Sequence, residues 1–122
     1  MPNDCWNHLM ITATSDELDA LMLEEFKEVP HWALTIHKRG PEAVCIKLWS
    51  RWLPDFEWLV RLLTKYPSCW IKDEWEEEGG TAGVWIGTGA SEARRGTGEP
   101  VIQRLEWDDM SMEEEYMRFK IA

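Results

Sequence analysis

Apolar residues recur along this chain with two different periods. Over residues 5–13 the period is two. Leu9, Ile11 and Ala13 fall on one side and Trp6, His8, Met10 and Thr12 on the other, which predicts a strand. From Leu18 the spacing lengthens: Leu18, Leu21, Met22 and Phe26 form the stripe of an amphipathic helix, ending before Pro30 because the residue ahead of a proline is pushed out of the helical region. Thr14-Ser15-Asp16-Glu17 has the spacing of a capping box, with the Thr14 hydroxyl and Glu17 carboxylate expected to satisfy free amides at the helix start. Alternation returns over residues 31–37, with Trp32, Leu34 and Ile36 on one side. It breaks at the Gly40-Pro41 turn and resumes over residues 43–48 with Val44, Ile46 and Leu48 together, close enough to pair as a hairpin.

The second half repeats the scheme. A helix is expected from Pro54, with Phe56, Leu59, Val60, Leu63 and Tyr66 buried, and Tyr66-Pro67 stops it. Strands follow over residues 68–75 and 82–86, joined by an acidic turn and Gly79-Gly80. A polar, glycine-rich loop spans residues 87–98, a last strand 101–107, and an acidic tail 108–122.

This order predicts an α+β protein with a ferredoxin-like βαββαβ antiparallel sheet, extended by a C-terminal β-hairpin and the acidic tail. Right-handed crossovers put both helices on one face and leave the other bare. A single domain over residues 1–122 is expected: a core over 1–76, the extra hairpin over 80–107 and the tail. The alternative is an α+β meander whose last strands fold over the bare face.

Composition narrows the function. The chain has 122 residues, 44% of them hydrophobic, and a formal charge of −10. That balance permits a core, disfavours direct binding to nucleic acid or an anionic membrane, and suits a basic protein partner. Three cysteines, Cys5, Cys45 and Cys69, cannot all pair and form no CxxC, which points to reduced thiols in a cytoplasm. No apolar run approaches the roughly 20 residues that span a bilayer. Nine tryptophans are many for this length, six of them between Val44 and Trp85, and some are expected at a surface.

The chain also resembles a known family. Met1-Pro2-Asn3, Cys5, Asn7, Leu9 and Ile11 look like the start of the YubB-type ferredoxin-like family of small phage and plasmid proteins. Trp49, Ser50 and Pro54 match it again, as do Tyr66-Pro67 and the late set Trp75, Glu76, Gly79, Ala82 and Gly83. The likeness covers residues 1–13 and 48–83. Asp4 stands where the family carries an aromatic, and the loop of residues 87–98 has no counterpart. The resemblance implies the fold and a mobile-element origin. It brings no catalytic residue, because the family has no established function.

Each candidate site has a plain structural counterpart. Cys5 and His8 have C-x-x-H spacing, but three residues along a strand point them to opposite faces; His31 and His37 share a face about 20 Å apart. Neither pair makes a metal site, and no cofactor is implied. No nucleophile stands in a recognisable relation to a base, so no reaction is predicted. Asp73, Glu74, Glu76, Glu77 and Glu78 read as a solvated acidic turn, or as a patch that docks a basic surface. Arg94 and Arg95, bracketed by Gly87-Thr88-Gly89 and Gly96-Thr97-Gly98, suit an anionic ligand, although the spacing is neither a dinucleotide-binding nor a Walker fingerprint. Trp6, Trp49 and Trp70 fall on the bare sheet face, to be covered by the tail or a second copy of the chain, or open to a partner. The expectation is a small, acidic, non-enzymatic protein of a phage or plasmid that binds and modulates a host protein. The alternative is a nucleotide-like ligand held by the glycine-rich loop and the tryptophans.

Overall fold

A computed structural model of the chain describes residues 4–90 and 99–108. The elements run β1 (Asp4–Thr12), α1 (Ser15–Glu24), β2 (Leu34–Arg39), β3 (Ala43–Arg51), α2 (Phe56–Lys65), β4 (Trp70–Glu77), β5 (Thr81–Thr88) and β6 (Val101–Asp108), with a short 3-10 turn His31–Ala33 ahead of β2. The strands form one six-stranded sheet in the order β2-β3-β1-β4-β5-β6. Every neighbouring pair is antiparallel. The described residues therefore form an α+β fold with a single mixed-order antiparallel sheet and two helices. The glycine-rich segment containing Arg94 and Arg95, and the tail after Asp108, lie outside the described residues.

Both helices pack on the same face. Leu18 and Leu21 of α1 and Leu59, Leu62 and Leu63 of α2 join Leu9, Ile11, Val44, Ile46 and Ile71 of the central strands in one buried cluster. The burial of β1 alternates strictly from Cys5 to Ile11, so its odd-numbered residues face the helices. Register carries the same face into β3 and β4, because Leu9 stands opposite Ile46 and Asp73, and Ile11 opposite Val44 and Ile71. Each fully buried aliphatic side chain there contributes about 1.5–3 kcal/mol. On β5 the helix face carries Gly83, Trp85 and Gly87. A Cβ at Gly83 would lie 2.6 Å from the Trp75 ring, and one at Gly87 would lie 2.5 Å from Leu63 and from the Trp85 ring. These two glycines leave room for the indoles.

Several local expectations are corrected. Residues 31–33 form a 3-10 turn rather than strand, closed by Ala33 N donating to the Pro30 carbonyl, and Trp32 is exposed. The capping box does not form: Thr14 occupies the N-cap without a side-chain cap bond. Its partners are drawn instead to the far side of α2, where Ser68 N donates to Glu17 Oε1 at 2.8 Å and Thr14 N donates to Ser68 Oγ at 3.0 Å. Helix α1 ends at Glu24, and Phe26 is buried beyond it. Helix α2 begins after Asp55, whose carboxylate accepts from Trp58 N at 3.1 Å. Of the predicted stripe, Leu59, Leu63 and Tyr66 are buried while Phe56 and Val60 are only partly so, and Leu62 is buried in addition. Strand β4 runs on to Glu77, so much of the presumed acidic turn is sheet.

Candidate binding recess

Strand β4 divides the acidic run between two faces. Asp73 shares the helix face with Ile71 and is only 1% exposed, which removes it from any surface patch. Glu74 and Glu76 point to the bare face, where Lys72 Nζ lies 3.0 Å from Glu74 and His8 Nε2 lies 4.0 Å from Glu76. Glu77 accepts from Gly79 N at 2.7 Å, and Glu78 is exposed in the turn that Gly80 completes with a φ of 101°.

By strand register the three candidate tryptophans fall on the side away from the helices, but they do not form one cluster, and Trp49, at the end of β3 beyond its pairing with β2, also borders the helix-side recess. Trp6 and Trp49 are cross-strand neighbours. Lys47 Nζ sits 4.7 Å from the Trp6 ring centroid, and Trp49 Nε1 donates to Asp4 Oδ1 at 2.7 Å. Trp70 stands opposite Thr12 at the other end of β1, about 20 Å away at strand rise. Cys5 and His8 lie on opposite faces of β1. Among the described residues no three His, Cys, Asp or Glu side chains come together to hold a metal ion. The buried thiols of Cys5 and Cys69 are pushed up to about 11 and about 12 by desolvation, so they stay protonated and weakly nucleophilic.

A concavity lined by apolar side chains opens on the helix side, at the end of the sheet that α1 and α2 leave partly uncovered. It has a volume of about 330 Å³, within the size range of small-molecule sites. Its floor is Asn7 and Leu9 of β1, Leu48 and Ser50 of β3, and Asp73 of β4. One wall is the connection from Glu25 to Ala33, and the other is Asp55, Trp58 and Leu59 at the start of α2. The local sequence builds this opening. Residues 31–33 form the 3-10 turn instead of extending β2, so β3 continues past the start of β2 without a paired strand on that side.

Two polar side chains in this apolar floor are nearly inaccessible: Asn7 at 2% and Asp73 at 1%. They are diagonal neighbours, since Asn7 pairs with Trp75 and Leu9 with Asp73. Asn7 Nδ2 donates to the Leu48 carbonyl at 3.0 Å and to Ser50 Oγ at 2.8 Å. Asn7 Oδ1 and Asp73 Oδ1 have no hydrogen-bond partner among the described residues. A buried polar atom without a partner costs about 1–3 kcal/mol. Burial also pushes the Asp73 carboxyl from its ordinary 3.8 up to about 8. A perturbed acid beside an orphaned acceptor, in an apolar cleft, is a combination found at working sites.

The rim is aromatic and acidic. Trp32 is 58% exposed and packs on Trp49 with ring centroids 5.0 Å apart. The loop between Ser50 and Asp55, both of which line the recess, presents Trp52 at 49% and Leu53 at 43% exposure. Trp52 has a φ of 70°, a left-handed conformation that a bulky residue rarely adopts and that clusters at functional sites.

No family model, curated protein or solved structure matches this chain. No helix among the described residues is long and apolar enough to cross a membrane. Sequence alone does not point to the recess, because Asp73, within the expected strand 68–75, is grouped with the solvated acidic run, and Asn7 enters only through the family resemblance. The available signal was periodic: both are polar residues on otherwise apolar stripes, Asn7 between Cys5 and Leu9, Asp73 between Ile71 and Trp75.

Proposed function

We propose that the protein is a non-enzymatic binding protein that takes hold of another protein through the recess and its tryptophan rim. The observation that carries this reading is the pair of buried acceptors without a partner among the described residues, Asn7 Oδ1 and Asp73 Oδ1, at the base of an apolar opening lined by exposed Trp32, with exposed Trp52 in the loop between the lining residues Ser50 and Asp55. Exposed tryptophans around a partly buried centre are the usual composition of a protein-binding hot spot. The resemblance to the YubB-type family supports a phage or plasmid origin, and with it a host protein as the partner. The strand order β2-β3-β1-β4 with both helices on one face supports a ferredoxin-like topology, to which β5 and β6 add an antiparallel pair. The patch of Glu74, Glu76 and Glu78 is the weaker docking candidate, because Lys72 and His8 already lie against two of its members.

Affinity capture from a bacterial host lysate, with partners identified by mass spectrometry, tests the reading. Wild-type protein is expected to retain a defined partner. The W32A/W52A variant, altered only at exposed rings, is expected to lose it, and E74K/E76K to keep it. Loss with E74K/E76K and retention with W32A/W52A would move the interface to the bare sheet face.

A second reading, a small-molecule binding protein, is favoured by the volume of the recess. Saturable quenching of tryptophan fluorescence by a small molecule in the absence of any protein partner would support it.

A further inference from the structure

We infer that the group received at the base of the recess is an organic cation, an ammonium or guanidinium, whose N–H donors meet Asn7 Oδ1 and Asp73 Oδ1. This deepens the reading above by naming the chemistry of the occupant, and it rests on the recess being the binding site.

Three observations carry it. The first is hydrogen-bond polarity. Asn7 Nδ2 is committed to the Leu48 carbonyl at 3.0 Å, and a flipped amide would set two carbonyl oxygens against each other. The buried, unpartnered atom of Asn7 is therefore an acceptor, as is the unpartnered oxygen of Asp73 when ionised. An occupant must supply donors at both places.

The second is charge. The ionisable residues lining the recess are Glu25 and Glu28 from the segment after α1, Asp55 ahead of α2, and Asp73 from β4; none is a lysine, arginine or histidine. Cys5 of β1 shares the helix face and feels the Asp73 charge, but its thiol is held protonated by burial. Lys65, which reaches Glu25 of the lining, is already engaged by Glu24 at 3.0 Å and Glu25 at 3.9 Å, and Lys27, His31 and Arg51, adjacent in sequence to lining residues, do not themselves line the recess. A phosphate or carboxylate would meet only like charge, whereas a cation would relieve the cost of ionising Asp73.

The third is the lining. Trp32, Trp49 and Trp58 all border the opening, and indole faces attract cations while accepting the carbon stem that carries them. Guanidinium suits the place especially well, because its planar fork offers several donors and is weakly hydrated.

The same chemistry has two sources, a free cation or an arginine or lysine side chain on a partner, and two pairs of probes separate them. Butylguanidinium is compared with butylurea, its neutral isostere. A capped Gly-Gly-Arg-Gly-Gly peptide is compared with the same peptide carrying citrulline. Isothermal titration is run on the full chain at pH 6, 7 and 8. The cationic member of at least one pair is expected to bind ten-fold or more tightly than its neutral isostere. Its affinity should rise about ten-fold per pH unit up to about 8, as Asp73 loses its proton, and the D73N variant should abolish both effects. Binding of the peptide alone assigns the cation to a partner's side chain; binding of butylguanidinium as well shows that the free cation suffices. Equal affinity within both pairs, or binding unchanged by D73N, overturns the inference. Absence of any binding also overturns it, and a partner captured through Trp32 and Trp52 would then leave the protein-binding reading standing alone.

Discussion

Asp73 and Glu74 are consecutive acids on one strand with opposite fates. The pleat turns Glu74 to the bare face, where it is exposed and lies 3.0 Å from Lys72. It turns Asp73 beneath the helices, where desolvation lifts its carboxyl to about 8 and one oxygen finds no partner among the described residues. The two positions share a backbone, a charge and nearly a side chain, so the difference comes from the face alone. A surface pair such as Lys72–Glu74 contributes about 0–1 kcal/mol and tolerates substitution. A buried, unpaired acid destabilises the native state by more than that, and such a cost is characteristic of a site built for binding rather than for stability.

The sharpest way to test the contrast between faces is truncation on adjoining residues of β4. Ile71→Ala opens a cavity under both helices and is expected to cost about 2–5 kcal/mol in chemical denaturation. Lys72→Ala, one residue along on the other face, is expected to stay within about 0.5 kcal/mol of wild type. Similar losses at both positions would show that the bare face is as tightly packed as the helix face.

Next in size is the effect of Asp73 on pH dependence. Its folded value of about 8 lies above the ordinary 3.8, so between those limits the native protein holds a proton that the unfolded chain has released. Its contribution is therefore most favourable below about pH 4 and is lost progressively as the pH rises toward about 8. The isosteric Asp73→Asn change should raise stability at pH 9 by on the order of 1–3 kcal/mol and leave it little altered at pH 4. Thermal melts across that range would show the two curves converging on the acid side. Parallel curves would place Asp73 in contact with water or a cation of the protein.

The smallest effect falls on the edge of the recess. Asp55→Ala removes the α2 cap that accepts from Trp58 N, for an expected loss of about 1 kcal/mol. Because Asp55 also lines the recess, the same variant should weaken binding of the arginine peptide. Unchanged affinity would confine Asp55 to a structural role.

Most of the element order could be read from periodicity. Strands alternate and helices repeat near 3.6, and the proline and glycine punctuation at Pro30, Gly40-Pro41, Tyr66-Pro67 and Gly79-Gly80 marks most of the breaks. What periodicity handled poorly was long-range competition for local groups. Thr14 and Glu17 have the spacing of a cap, yet the amide and hydroxyl of Ser68 arrive from 51 or more residues away and take them. Residues 31–33 alternate like a strand, yet the Pro30 carbonyl closes them into a turn, and that turn opens the recess. The site itself was half legible. Asp73 keeps the period of the buried stripe, but five acids within residues 73–78 disguise it as part of a solvated turn. Of the tryptophans that line the recess, Trp49 is one that strand parity selects, whereas Trp32 and Trp58 are not.

The most direct test is a carboxyl-carbon NMR titration of Asp73 in the free protein and in the presence of saturating arginine peptide, with D73N to assign the resonance. The account predicts a midpoint near 8 in the free protein and a clear fall once the peptide is bound. A midpoint in the ordinary carboxylate range, unmoved by the peptide, would contradict it.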